Sequence, residues 1–182
     1  STEARASALA HASFVSSMVR DPEECLTRIR EAQAQFVDLG DEQGLKTAQT
    51  YEAIILWFQR NLEPSSRIFA EIQAAHQSNG FEWGDAFCGW FLGSTSLLKG
   101  DMTLASEHYN RSLEIYRRIG DSTFIAWTLL PLANMSLVAG ELDEAQALYE
   151  ESLRTMGDIG DIHGFGAVYL GLGMLAQLRG DS

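Results

Sequence analysis

The side chains that could do acid–base, nucleophilic or metal chemistry are few and poorly placed to do it together. His11, His76, His108 and His163 are scattered along the chain, and no two stand four residues apart. A zinc site needs convergent imidazole or thiolate ligands, and these do not supply them. Cys25 and Cys88 lie 63 residues apart, which makes no disulfide framework and suits a reducing compartment. No nucleophile elbow occurs, and no Ser-His-Asp or Cys-His set can be read from spacing. Gly171-Leu-Gly173-Met-Leu-Ala176 has the letters of a dinucleotide fingerprint. That motif works at a strand-to-helix turn, whereas here it falls inside a helical pattern where Gly173 reads as a packing residue. Asn110-Arg-Ser112 and Asn134-Met-Ser136 match glycosylation sequons but also fall in helices. The sequence therefore predicts no enzyme, no metal and no cofactor.

Charge narrows the partners. Among 182 residues, 25 Asp and Glu against 13 Lys and Arg leave a net charge of −12. A surface of that sign repels phosphate backbones, so direct nucleic-acid binding by this segment is not expected. No apolar run in the sequence approaches the roughly 20 residues of a membrane helix, so no membrane partner is expected. Acidic residues gather at expected helix starts, Asp21, Glu23 and Glu24 and then Glu141, Asp143 and Glu144, where they complement the helix dipole.

The elements that must hold these residues are set by a repeat. Glycine stands at Gly40, Gly80, Gly120 and Gly160, and half a period away at Gly100, Gly140 and Gly180, with Arg20 and Arg60 at the same phase. Asp41, Phe81, Asp121 and Asp161 follow the first series, and Asp21, Asn61, Asp101, Glu141 and Asp181 follow the second. Aligned without gaps, residues 81–120 and 121–160 share eleven identities in forty. A left-handed glycine ends one helix, and the acidic or amide residue after it caps the next. The second helix of each unit carries a stripe at steps of four and three. These are Cys25, Ile29, Ala32, Phe36 and Leu39; Ala105, Tyr109, Ser112, Tyr116 and Ile119; and Ala145, Tyr149, Ser152, Met156 and Ile159. No stretch alternates with period two. The spacing predicts one all-α repeat domain over 1–182, with two-helix units at 1–40, 41–80, 81–120 and 121–160 and a half unit at 161–182. Its last helix falls near 162–178. The opening without Met, in phase with the repeat, and the final unpaired helix predict a piece of a longer chain. Pro131 breaks the local rules, and is expected to free the Trp127 carbonyl and kink its helix.

Gly93, Ala105, Tyr109 and Ser112, repeated as Ala133, Ala145, Tyr149 and Ser152, resemble the tetratricopeptide signature of a small residue in the first helix and small-aromatic-small in the second. The match is weaker in 1–40 and weakest in 41–80, and the period exceeds the usual one. Forty-residue units with Leu-Gly-Asp and Ile-Gly-Asp junctions are similar to the arrays of LuxR-type and signal-transducing ATPase transcription regulators of bacteria. The resemblance implies a right-handed α-solenoid of antiparallel hairpins whose first helices line a groove. It places Trp57, Phe58, Phe87, Trp90, Ser94, Trp127 and Asn134 on that face, with Thr47, Thr50, Ile54, Leu97, Leu130 and Leu137 beside them. No Lys or Arg falls there, so the groove suits an apolar protein or peptide segment, or a small apolar ligand, rather than an acidic tail. The expected role is a non-catalytic, cytoplasmic recognition module of such a regulator. The alternative is a static scaffold or a self-associating homo-oligomer.

Overall fold

The computed structural model describes residues 2–17, 21–161 and 164–180. Arg20, His163 and Asp181 lie outside the described residues. The helices among them are α1 (Thr2–Ser16), α2 (Pro22–Leu39), α3 (Glu42–Phe58), α4 (Leu62–Ser78), α5 (Glu82–Leu98), α6 (Met102–Ile119), α7 (Ser122–Ala139), α8 (Leu142–Ile159) and α9 (Phe165–Arg179). Within α2–α4 and within α5–α8, connections of two or three residues leave each helix antiparallel to the one before it. The chain divides into two compact units, residues 1–79 with α1–α4 and residues 80–182 with α5–α9.

The junctions follow the repeat. All seven glycines of the two series have positive φ, from 68° to 83°, and Arg60 at the glycine phase adopts φ 62°. Asp21 accepts from the Glu23 N–H, Asp41 from Gly44, Asp101 from Leu104 and Asp121 from Phe124, each freeing a helix start of one orphan donor. Two expected caps are not made. Asn61 and Glu141 stand at cap positions without a side-chain bond. The Asp161 carboxylate accepts the Trp127 indole N–H, and the two residues that follow it lie outside the described ones.

In unit one, Cys25, Leu26, Ile29, Ala32 and Phe36 of α2 pack against Ala6 and Ala10 of α1 and Ala48, Ile55 and Leu56 of α3. In unit two, Ala105, Tyr109 and Leu113 of α6 meet Leu129, Leu132 and Met135 of α7. Ala145, Tyr149 and Met156 of α8 meet Ala126 and Ala133 of α7 and Val168 and Leu175 of α9. Serine hydroxyls bind these pairs: Ser65 donates to the Ala53 carbonyl at 2.8 Å, Ser112 to Ala86 and Ser152 to Ala126 at 2.9 Å. Each stripe departs from expectation at its last member. Leu39, Ile119 and Ile159 are exposed, because they precede the left-handed glycine where the chain turns off the packed face.

One further expectation needs correction. Gly93 does pack as predicted, since a Cβ there would press on Tyr109 and His108 at 3.2 Å. Gly173, at the same phase, has nothing within 4 Å, and it is Gly171 whose Cβ would strike the Tyr149 ring. The reason is that Gly173 faces away from α8, and no following helix lies over it among the described residues. Pro131 lies inside α7, which remains helical from Ser122 to Ala139. By length and hydropathy α7 alone among the described helices is apolar enough to cross a membrane. Here that composition serves packing, for α7 contacts α6, α8 and α9 and completely buries Ala126, Leu129 and Ala133.

Candidate functional site

In unit one, Trp57 and Phe58 end α3. Phe58 is exposed, and its ring meets Trp57 edge-on at 5.1 Å. The Arg60 guanidinium, placed by its left-handed backbone, lies 5.9 Å from the Trp57 ring centre. Ile54 is buried, and the Thr47 and Thr50 hydroxyls donate to the Gln43 and Lys46 carbonyls of their own helix.

In unit two the sequence-derived residues divide. Phe87 is held in an aromatic cluster, stacked on Trp83 at 5.0 Å with Phe91 and Phe124 edge-on. Ser94 is buried beside Tyr109, whose phenol is pushed up to about 12 by burial while the hydrogen bond with Ser94 pulls the other way. Trp90 is half-buried over the Tyr109 ring, and its buried indole N–H has no hydrogen-bond partner. Trp127 is half-buried and its indole N–H donates to Asp161 at 3.1 Å. Asn134 is exposed, and its carbonyl accepts the Tyr149 hydroxyl at 2.5 Å, which leaves its amide NH2 group to donate elsewhere. Leu97, Leu130 and Leu137 are half-buried on the same helices.

Sequence reasoning left out the fourth tryptophan. Trp83 donates its indole N–H to Asp121 at 2.9 Å, as Trp127 does to Asp161. Each bond ties a first helix to the junction beyond the next helix, where an acidic residue was assigned only a capping role. A separation of 38 or 34 residues gives no local signal, and only the repeat could have pointed to it.

The remaining polar groups hold structure. Asp85, nearly buried, accepts from Arg111 at 2.8 Å, and Glu52 accepts from Arg30 at 2.8 Å and Gln33 at 2.7 Å. Burial, and then the neighbouring Asp85, push the Cys88 thiol up to about 12, which makes it a poor nucleophile. Burial raises the Tyr116 phenol, with Asp121 and Cys88 adding to it, and burial lowers His108. Among the described residues no group of three His, Cys, Asp or Glu is arranged to hold a metal.

These hairpins, with small residues at the crossings and an aromatic between them, define an all-helical array of the tetratricopeptide type. A profile of the tetratricopeptide repeat matches residues 85–158. Among solved structures, the crystal structure of BtubC (BKLC) from P. vanneervenii is similar with a TM-score of 0.83, at 18% identity, over 97% of this chain and 75% of that one. At that identity the likeness is one of fold. No curated protein matches the sequence.

Proposed function

We propose that the chain is a non-catalytic recognition module that binds an apolar protein segment on its first-helix faces. In unit two that face carries Trp90, Trp127 and Asn134, and in unit one Trp57 and Phe58. The observation that carries the reading is Trp127: a half-exposed ring held in one orientation by Asp161, with the Asn134 amide about two turns along the same helix. A ring fixed before binding loses little entropy on contact, which favours an anchor role. The style of the repeat supports placing this module in a cytoplasmic bacterial transcription regulator, where a bound segment would bias the state of the parent chain.

Peptide display against the purified chain tests this. Apolar sequences should be selected, and Asn134→Ala and Trp127→Phe should each weaken the selected peptide in the folded fraction, apart from the stability lost with the Tyr149 and Asp161 hydrogen bonds. Selected peptides indifferent to both substitutions would contradict it.

A scaffold or self-association role is the second reading, and α9 favours it. Tyr169, Leu170, Met174 and Leu178 are exposed on a helix without an acidic residue, in a chain of charge −12. Light scattering against concentration, with Leu170→Glu as control, separates the two.

A further inference from the structure

On the other side of unit two, the second helices α6 and α8 run in the same direction, with α7 between and behind them. They enclose a groove of about 830 Å³, within the size range of clefts that hold ligands. Met102 and Leu113 of α6, Leu132 and Met135 of α7 and Leu148 of α8 give it an apolar base. Glu107 of α6, Glu141 just before α8 and Glu144 of α8 stand exposed at its edges. Among the described residues none of the three carboxylates forms an ion pair or side-chain hydrogen bond. This contrasts with Asp143, which pairs with Arg179 on the far side of α8. The one cation of the groove, Arg117, is engaged by Glu151 at 2.6 Å.

A second observation comes from the base. Ser136 is 9% exposed, lines the groove, and its hydroxyl bonds to nothing among the described residues. Ser65, Ser112 and Ser152 at the helix crossings donate to a neighbouring carbonyl, and the Ser13 and Thr95 hydroxyls, which also lack a partner, are more deeply buried and do not line this groove. A nearly buried hydroxyl left open towards a cleft is a hydrogen-bonding group without its partner.

We infer that this outer groove is a docking site for a basic amphipathic helix. Its apolar side would lie on Met102, Leu132, Met135 and Leu148, and its lysines or arginines would meet Glu107, Glu141 and Glu144. Charge selects the occupant: three unpaired carboxylates around an apolar base disfavour an acidic partner, a second copy of this chain included. Shape favours a helix, because an elongated groove lined by two parallel helices with a third behind them suits an amphipathic helix laid along it. The methionines at the base are unbranched and adapt to the side chains laid on them. This site is separate from the first-helix face and does not depend on it.

The test is fluorescence anisotropy with the whole chain and a labelled helical peptide of leucine and lysine, its leucines on one face. A scrambled peptide of the same composition is the comparison. The helix should bind more tightly than the scramble. Glu107→Gln, Glu141→Gln and Glu144→Gln together should weaken it by about tenfold or more, since each pair is partly exposed. The same charge change at exposed sites elsewhere, Glu31→Gln, Glu71→Gln and Glu114→Gln, should have little effect. Thr103→Trp, which fills the mouth from an exposed position, should also abolish binding, whereas Trp127→Ala should leave it intact. Equal weakening by the two triple variants would reduce the effect to diffuse charge and overturn the proposal. Unchanged affinity in the groove variant or in Thr103→Trp would overturn it too, as would equal binding of the scramble or no binding at all. If Trp127→Ala alone abolished binding, the peptide would be on the first-helix face and the groove assignment would be wrong.

Discussion

Asp121 serves two elements, and its removal gives a magnitude that can be worked out in advance. One carboxylate oxygen accepts the Phe124 N–H at 3.0 Å, capping α7, and the other accepts the Trp83 indole N–H at 2.9 Å. Losing the cap costs about 1 kcal/mol. A hydrogen bond to a charged group contributes about 1.5–3 kcal/mol, and half-exposure of both partners brings that to about 1–1.5. Asp121→Ala should therefore destabilise unit two by about 2–2.5 kcal/mol, roughly 5–10 °C in melting temperature for a chain of this size. Asp101→Ala is the internal reference, because Asp101 caps α6 through Leu104 and has no indole partner. It should cost about 1 kcal/mol. Urea unfolding of Asp121→Ala, Trp83→Phe and the double variant isolates the indole bond as a coupling of about 1 kcal/mol. Repeat arrays unfold by neighbouring pieces, so the comparison requires unchanged denaturant slopes. A cost for Asp121→Ala equal to that for Asp101→Ala, or a coupling near zero, would refute the reasoning.

Other substitutions probe the packing. Gly173→Ala should stabilise α9 by about 0.5–1 kcal/mol, because its Cβ meets nothing and alanine favours the helix. Gly171→Ala should destabilise the same helix by displacing the Tyr149 ring, and thermal melts compare the two directly. Arg111→Ala leaves the nearly buried Asp85 without its guanidinium and should cost about 1–2 kcal/mol, with Arg111→Lys recovering part of it in urea titrations. Cys88 and Tyr109 are both raised to about 12, from ordinary values of 9.0 and 10.0. Folding therefore favours their protonated forms, and stability should hold below pH 9 and fall as pH climbs towards 12. Cys88→Ala should flatten the first part of that decline, and a flat profile through the whole interval would contradict the burial argument.

Periodic features were legible in the sequence, and features made by distant contacts were not. The glycines from Gly40 to Gly180 and the caps at Asp21, Asp41, Asp101 and Asp121 are local devices, so spacing alone located eight helices closely. The stripes through Tyr109 and Tyr149 were equally readable, because a helix face is fixed by steps of four and three. The indole bonds to Asp121 and Asp161 were not legible, because phase does not say that a carboxylate also meets an indole a whole hairpin away. Gly173 misled because the repeat implies a neighbouring helix that does not lie over it among the described residues. At the candidate site, the phases of Trp57, Trp90 and Trp127 were visible, but not that Phe87 and Ser94 turn into packed clusters. The outer groove has no motif at all, since its lining joins Met102 to Leu148 across three helices.

The most direct test of the central claim is the effect of Trp127→Ala and Trp90→Ala on a display-selected apolar peptide, with melting temperature and affinity measured on the same samples. The recognition account predicts that affinity in the folded fraction falls by about 2 kcal/mol or more, roughly thirtyfold, for Trp127→Ala, while loss of its bond to Asp161 lowers the melting temperature as well. Trp90 rests on Tyr109, so Trp90→Ala should lose both affinity and stability. Lowered melting temperatures with affinity intact in the folded fraction of both variants would make these rings core residues and contradict the account.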